Sequence, residues 1–131
     1  MITRSTKYKG RRSGGGLAPT QGVRKTEESA KKFAMGGFEL RRNTRHKLAQ
    51  VFIKTDAGEP WLLIEEHKWN DEKKCSEPVE YEFRFIITTE RAEEIEVEEI
   101  GYDVWEAKSK IEFQYQNELD YIEYVGWTDL E

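Results

Sequence analysis

The sequence predicts an α+β domain dominated by β structure, with one antiparallel sheet of about five or six strands and one or two short helices. Two patterns support this class. From Phe38 onward most apolar residues recur at every second position, which is typical of half-buried strands. A short segment near residue 30 instead has helical spacing and carries residues that begin and end a helix.

The short helix is predicted over residues 26–35. Thr26 can cap its first turn, and the two glutamates that follow suit the positive end of the helix dipole. Gly36 ends the segment. A helix this short is marginal alone, so we expect it to dock on the rest of the domain through Phe33.

A hairpin and one long strand are the clearest β segments. Residues 49–66 read as two strands around a turn at 56–60, and the second strand is apolar on both faces like a central strand. Apolar and polar residues alternate strictly from Val79 to Ile87. Weaker alternation predicts strands at residues 95–97 and 111–115, and residues 119–125 fit a strand or a helix.

Residues 1–25 are predicted to form a flexible, basic, Gly-rich arm, with the compact acidic β-rich domain spanning residues 26–131. The arm holds seven Lys or Arg, five Gly and no acid. Such a segment has too little apolar surface to offset the entropy lost on ordering. We therefore expect it to be disordered when free, and its deletion to leave the fold intact.

Charge is distributed unevenly along the chain. The net charge is −5, but residues 1–47 hold 13 Lys/Arg and 3 Asp/Glu, whereas residues 48–131 hold 8 and 23. This asymmetry indicates a polyanion-binding arm joined to an acidic body. The alternatives are an arm that neutralises its own acidic domain and an arm with no role beyond solubility.

No motif of an enzyme or of a cofactor site is present, so we predict a non-enzymatic protein with no cofactor and no metal. The sequence lacks a P-loop, a dinucleotide-binding glycine motif, a zinc-protease helix and a nucleophile elbow. His67 and Cys75 are the weak alternative for nucleophilic catalysis. His67, Asp71, Glu72 and Cys75 lack the paired spacing of structural zinc ligands.

The expected location is the cytoplasm, with no membrane partner. A single cysteine excludes an intramolecular disulfide, which fits a reducing compartment. No apolar run approaches the roughly 20 residues of a membrane span, and the N-terminus lacks the apolar region of a signal peptide.

Basic residues near the N-terminus are the predicted nucleic-acid-binding site. Lys and Arg neutralise phosphates and release counterions, and Tyr8 could stack on an unpaired base. Nothing in the pattern separates RNA from DNA. The predicted set is Arg4, Lys7, Tyr8, Lys9, Arg11, Arg12, Arg24, Lys25, Lys31, Lys32, Arg41, Arg42 and Arg45.

A row of glutamates is the predicted partner-binding face. These residues alternate with apolar residues, so we expect them on the solvated face of the sheet. They are Glu80, Glu82, Glu94, Glu96 and Glu98.

Two functions follow from these features. The first is an accessory subunit of a nucleoprotein assembly, whose basic arm binds the nucleic-acid backbone without reading sequence while the acidic domain docks on a protein partner. The second is an inhibitor or immunity-type protein whose glutamate-rich face mimics nucleic acid and blocks a basic groove.

Overall fold

The structure is a computed structural model that describes residues 6–56 and 58–130. The chain divides into two compact units, Met1–Val79 and Glu80–Glu131, here called the N-terminal unit and the C-terminal unit. The division between Val79 and Glu80 falls far from residue 25, where the sequence prediction placed its boundary.

Over its described residues, 6–56 and 58–79, the N-terminal unit is a five-stranded antiparallel sheet with one helix. The sheet order is β2-β1-β3-β4-β5, so β1 lies inside the sheet between β2 and β3. A helix, α1, and a 3-10 turn, Gly36–Phe38, connect β2 to β3. The elements are β1 Lys7–Ser13, β2 Thr20–Arg24, α1 Glu27–Met35, β3 Leu48–Lys54, β4 Leu62–Asn70 and β5 Cys75–Pro78.

Helix α1 packs on β1 at unusually short range because Gly10 has no side chain. A Cβ at Gly10 would overlap the carbonyl oxygen of Ala30 and lie 3.1 Å from a ring carbon of Phe33. Ala30 and Ala34 are fully buried in this contact. As predicted, the Thr26 side chain caps the helix by accepting a hydrogen bond from the backbone N–H of Ser29.

The C-terminal unit is a three-stranded antiparallel sheet of order β7-β6-β8 with one helix. Its core contains Phe83, Phe85 and Ile87 from the central strand and Ile111 from the helix, all fully buried. Asp103 caps the helix by accepting a hydrogen bond from the backbone N–H of Glu106 at 2.8 Å. The elements are β6 Tyr81–Thr89, β7 Glu94–Gly101, α2 Val104–Gln114 and β8 Leu119–Asp129.

The predicted class, a β-dominated α+β protein with antiparallel sheets and short helices, is confirmed. The strands form two sheets rather than one. Residues 111–115, predicted as a strand, lie mostly in α2, which begins at the Asp103 cap. The ambiguous segment 119–125 is part of β8.

The predicted flexible arm is wrong over the described part of residues 1–25. β1 pairs with β2 and β3 at the same time. These two sets of backbone hydrogen bonds order a segment that has little apolar surface of its own. Three consecutive glycines, 14–16, take positive φ in the turn that joins β1 to β2. Within the described residues, no helix is long and apolar enough to cross a membrane.

Candidate nucleic-acid interface

The members of the predicted basic set that lie on β1 are divided between the two faces of the N-terminal sheet, because successive side chains of a strand point to opposite faces. Lys7, Lys9 and Arg11 of β1 share one face, and Tyr8 and Arg12 share the face covered by α1. Arg4 lies outside the described residues.

Lys9 and Arg11, on the face opposite α1, are engaged with neighbouring side chains. The Lys9 ammonium lies 5.0 Å from the ring centroid of Phe52 and 4.8 Å from that of Trp61. Partial burial, followed by the charges of Arg11 and Lys54, lowers the pKa of Lys9. Arg11 donates a hydrogen bond to the side-chain oxygen of Gln50 at 3.2 Å.

On the α1 side, Phe33 orients two arginines. The Arg12 guanidinium lies 4.3 Å from the Phe33 ring centroid, and its Nε donates to Thr20 Oγ1 at 3.0 Å. The Arg24 guanidinium lies 4.9 Å from the same ring. Tyr8 was expected to stack on a base, but only 4% of it is exposed, so that prediction is wrong.

Helix α1 places its lysines in different surroundings. Lys31 forms an ion pair of 3.3 Å with the buried carboxylate of Glu65, which also accepts a hydrogen bond of 2.8 Å from His67 Nε2. Lys31 therefore has a structural partner. Lys25, just before the helix, and Lys32 are exposed.

A tight turn after the 3-10 segment presents two more arginines. Arg41 and Thr44 exchange backbone hydrogen bonds of 2.8 Å, and Thr44 Oγ1 donates to the Arg41 carbonyl at 2.7 Å. Arg42 and Asn43 between them take φ of 50° and 65°, as in the tight turns of hairpins. Both Arg41 and Arg42 are exposed.

Arg45 follows the turn and is held by neutral partners. Its guanidinium lies 4.0 Å from the ring centroid of Trp69, and Nη1 donates to the Phe38 carbonyl at 3.3 Å. Phe38 and Trp69 in turn pack with ring centroids 5.8 Å apart. These contacts fix the plane of the guanidinium and leave its other N–H groups for a ligand.

Three of the predicted arginines converge on one small cavity, here called the arginine pocket. Its volume is about 140 Å³. His46 shares the pocket, and its Nε2 donates to the Ala18 carbonyl at 3.2 Å. The lining residues are Arg12, Leu17, Thr20, Gly36, Gly37, Glu39, Arg41, Thr44, Arg45 and His46.

The arginine pocket lies in a unit with excess positive charge. The N-terminal unit holds 17 Lys/Arg and 10 Asp/Glu, a net charge of +7, and the C-terminal unit holds 4 and 16, a net charge of −12. Among the described residues, ion pairs involve lysines of the N-terminal unit but none involves Arg12, Arg41 or Arg45. Although Glu39 also lines the pocket, the guanidinium charges are not neutralised by direct contact.

The sequence prediction included these three arginines but missed the pocket and the rings that orient its side chains. Only strand pairing and the docking of α1 bring together the pocket residues Arg12, Thr20, Gly36 and Arg45. The available signal was the position of Phe33 and Trp69 beside basic residues in the sequence, but alternation alone did not show which guanidinium would stack on which ring.

The glutamate row of the C-terminal unit is assembled largely as predicted. Cross-strand register places Glu82 on the same face as Glu94, Glu96 and Glu98, while Glu80 precedes β6. Burial, followed by the charge of Glu98 and a hydrogen bond shared with it, raises the pKa of Glu82. Arg84 pairs with Glu98 across the strands and interrupts the row.

His67 and Cys75 do not form the weakly indicated catalytic pair. His67 Nε2 bonds to Glu65, and Cys75 is an exposed residue opposite Asn70 on β5. Asp71 forms an ion pair with Lys47 at 2.6 Å. In the part of the chain that the structure describes, no three His, Cys, Asp or Glu side chains form a group that could hold a metal ion.

Comparison with known proteins gives no match: no protein-family model matches the chain, and neither a curated protein nor a solved structure is significantly similar to it.

Proposed function

We propose that this chain is a non-enzymatic accessory subunit of a nucleoprotein assembly, and that its N-terminal unit binds the phosphate backbone of a nucleic acid without reading sequence. The observation that carries the proposal is the arginine pocket, where Arg12, Arg41 and Arg45 converge and none forms an ion pair among the described residues. The basic surface belongs to a folded unit, with Arg12 on β1 and Arg41 and Arg45 in the segment before β3, and not to a flexible arm.

Arginine suits this task because its planar guanidinium forms two parallel hydrogen bonds to a phosphate. Stacking of Arg12 on Phe33 and of Arg45 on Trp69 reduces the side-chain entropy that binding would otherwise cost. Other exposed cations of the N-terminal unit, such as Lys25, Lys32 and Arg42, add positive surface for neighbouring phosphates.

The acidic C-terminal unit is the proposed docking module for a protein partner. Its net charge of −12 would repel nucleic acid and attract a basic protein surface. The two units thus carry opposite charges suited to two classes of partner.

The test is fluorescence anisotropy of the full chain with labelled single- and double-stranded RNA and DNA across a salt series. The double variant Arg41→Gln/Arg45→Gln should bind more weakly, and the slope of log affinity against log salt should fall in magnitude by about 1.4 for single strands and about 1.8 for duplex DNA. The control Lys73→Gln/Lys74→Gln removes the same charge from the turn between β4 and β5, and it should have a much smaller effect. Thermal unfolding checks that each variant is folded.

Equal losses in the two double variants would show that only net charge matters and would refute a specific interface. Absence of binding by the parent chain at low salt would refute the function itself.

The inhibitor function has one observation in its favour, the alignment of glutamates on a single face. Glu94, Glu96 and Glu98 recur along the edge strand β7 at about 7 Å, twice the rise per residue of a strand. If this row mimics nucleic acid, the chain should displace labelled duplex DNA from a basic, non-specific nuclease. Glu94→Lys/Glu96→Lys should abolish displacement.

The matched control for that variant is Glu112→Lys/Glu118→Lys, which makes the same charge change outside the row. If the control abolishes displacement equally, or if the parent chain displaces nothing, the mimicry function is refuted.

A further inference from the structure

The arginine pocket is too small for a nucleotide. Its volume of about 140 Å³ is well below the roughly 300–1,000 Å³ of pockets that hold a whole small-molecule ligand. The space suits a single tetrahedral anion. Three guanidinium groups in its lining outnumber the single carboxylate of Glu39, which makes phosphate the matching chemistry.

A phosphate within a strand and a phosphate at its end differ in shape and in charge. An internal phosphodiester is flanked by two sugars and carries one negative charge. A terminal phosphate monoester has one ester link and carries a charge of about −1.5 to −2 near pH 7. A confined pocket with several cationic donors therefore favours the terminal group.

From this geometry we infer that the arginine pocket binds the phosphorylated end of a nucleic-acid strand, an inference that rests on the proposed function. The phosphoryl group enters the pocket between Arg12, Arg41 and Arg45, and the ester oxygen points outward. The following internal phosphates then lie along the exposed cations outside the pocket, including Arg42 and Lys32.

Fixed donors strengthen the expected preference. One hydrogen bond and one ring contact hold each of the Arg12 and Arg45 guanidinium groups, so both enter the complex with little loss of freedom. Arg41 stands on the rim, on a turn closed by two backbone hydrogen bonds to Thr44.

Arg41 and Arg42 provide a matched pair of variants. They are adjacent, exposed and identical in charge, and both lie in the same turn, but only Arg41 lines the pocket. Loss of general electrostatic attraction should therefore be similar in Arg41→Gln and Arg42→Gln. Loss of end recognition should be confined to Arg41→Gln.

The experiment measures the affinity of the full chain for one single-stranded oligonucleotide, labelled at its 3′ end, with either a 5′-phosphate or a 5′-hydroxyl. We expect the phosphorylated form to bind about tenfold more tightly, the effect of one strong charge-assisted hydrogen bond. Arg41→Gln should reduce that ratio to near one, and Arg42→Gln should leave it unchanged. Inorganic phosphate should compete more effectively against the phosphorylated form.

Equal affinity for the two oligonucleotides, with a retained salt slope, would overturn the end-binding inference and leave backbone binding in place. Absence of binding to both would overturn the proposed function as well. A phosphoserine peptide forms the third arm. If it binds more tightly than the phosphorylated oligonucleotide and depends on Arg41, the pocket serves a phosphoprotein and the end-binding inference is overturned.

Discussion

A methyl group at Gly10 should separate helix α1 from the sheet. In Gly10→Ala the new Cβ would overlap the Ala30 carbonyl and approach the Phe33 ring. The obstacle is backbone of a helix whose inner residues Ala30 and Ala34 are fully buried, so no single side chain can rotate to make room. The helix must shift as a body or the strand must bend.

The size of the effect follows from two opposing terms. Overpacking a well-filled core costs about 1–3 kcal/mol, and a clash with backbone belongs at the upper end of that range. Replacing Gly within a strand recovers about 0.5–1 kcal/mol, because the unfolded chain loses freedom. We therefore expect Gly10→Ala to lower the free energy of unfolding by about 2 kcal/mol.

Gly22 is the matched control because it pairs directly with Gly10 across β1 and β2. The three atoms nearest to a Cβ at Gly22 all belong to the guanidinium of Arg24, the flexible end of a side chain. Gly22→Ala should therefore change stability by less than about 0.5 kcal/mol or increase it slightly.

Urea denaturation of both variants, followed by circular dichroism, tests this reasoning. The Gly10→Ala midpoint should fall by about 0.7–2 M relative to Gly22→Ala, given typical urea slopes for small proteins. Equal midpoints would show that α1 adapts freely and that its contact with β1 is not tight. Binding offers a second readout, because displacement of Phe33 would also release the Arg12 guanidinium.

Two further changes probe the buried ion network and the second helix. Burial raises the pKa of Glu65, but hydrogen bonding from His67 and the charges of Lys31 and His67 outweigh it, so the pKa lies below its usual value. Glu65→Gln should cost about 2 kcal/mol near pH 7, measured by urea denaturation. This difference should persist above about pH 4.5, the ordinary pKa that Glu65 has in the unfolded chain, and vanish as the pH falls through its lower pKa in the folded protein. A pH-independent difference would contradict this reasoning. Asp103→Ala should lose about 1 kcal/mol by removing the cap on the Glu106 N–H. Asp103→Asn should retain most of that stability, and equal losses in the two variants would show that charge and not capping is responsible.

Local pattern was sufficient for the strands whose two faces differ in polarity. Residues 81–87 alternate between buried aromatic or aliphatic side chains and partly exposed ones, as predicted from the sequence. β1 has the same alternation, since Tyr8 and Gly10 are buried between Lys7, Lys9 and Arg11. The charged residues and glycines of β1 led to its prediction as a flexible segment. Its strand structure depends on pairing with β3, about 40 residues later, which local sequence does not show.

Individual residues of the candidate site could be predicted from the sequence, but their arrangement around one pocket could not. Arg12, Arg41 and Arg45 were predicted as site residues because they are basic. Tyr8 was predicted because it lies among basic residues in the sequence. The structure buries Tyr8 and gathers the arginines around Gly36 and Gly37. That selection depends on the face of each strand and on the docking of α1, which are tertiary properties.

The position of β1 within its sheet has a consequence for the order in which the chain can fold. β1 and β2 can pair early as a hairpin, but a two-stranded hairpin is only marginally stable in water. The other edge of β1 stays open until β3, Leu48–Lys54, has been synthesised. Pairing of β1 with β3 requires contact between residues about 40 positions apart, and this step should limit the folding rate of the N-terminal unit. Until it occurs, the most basic segment of the chain is exposed to any polyanion nearby.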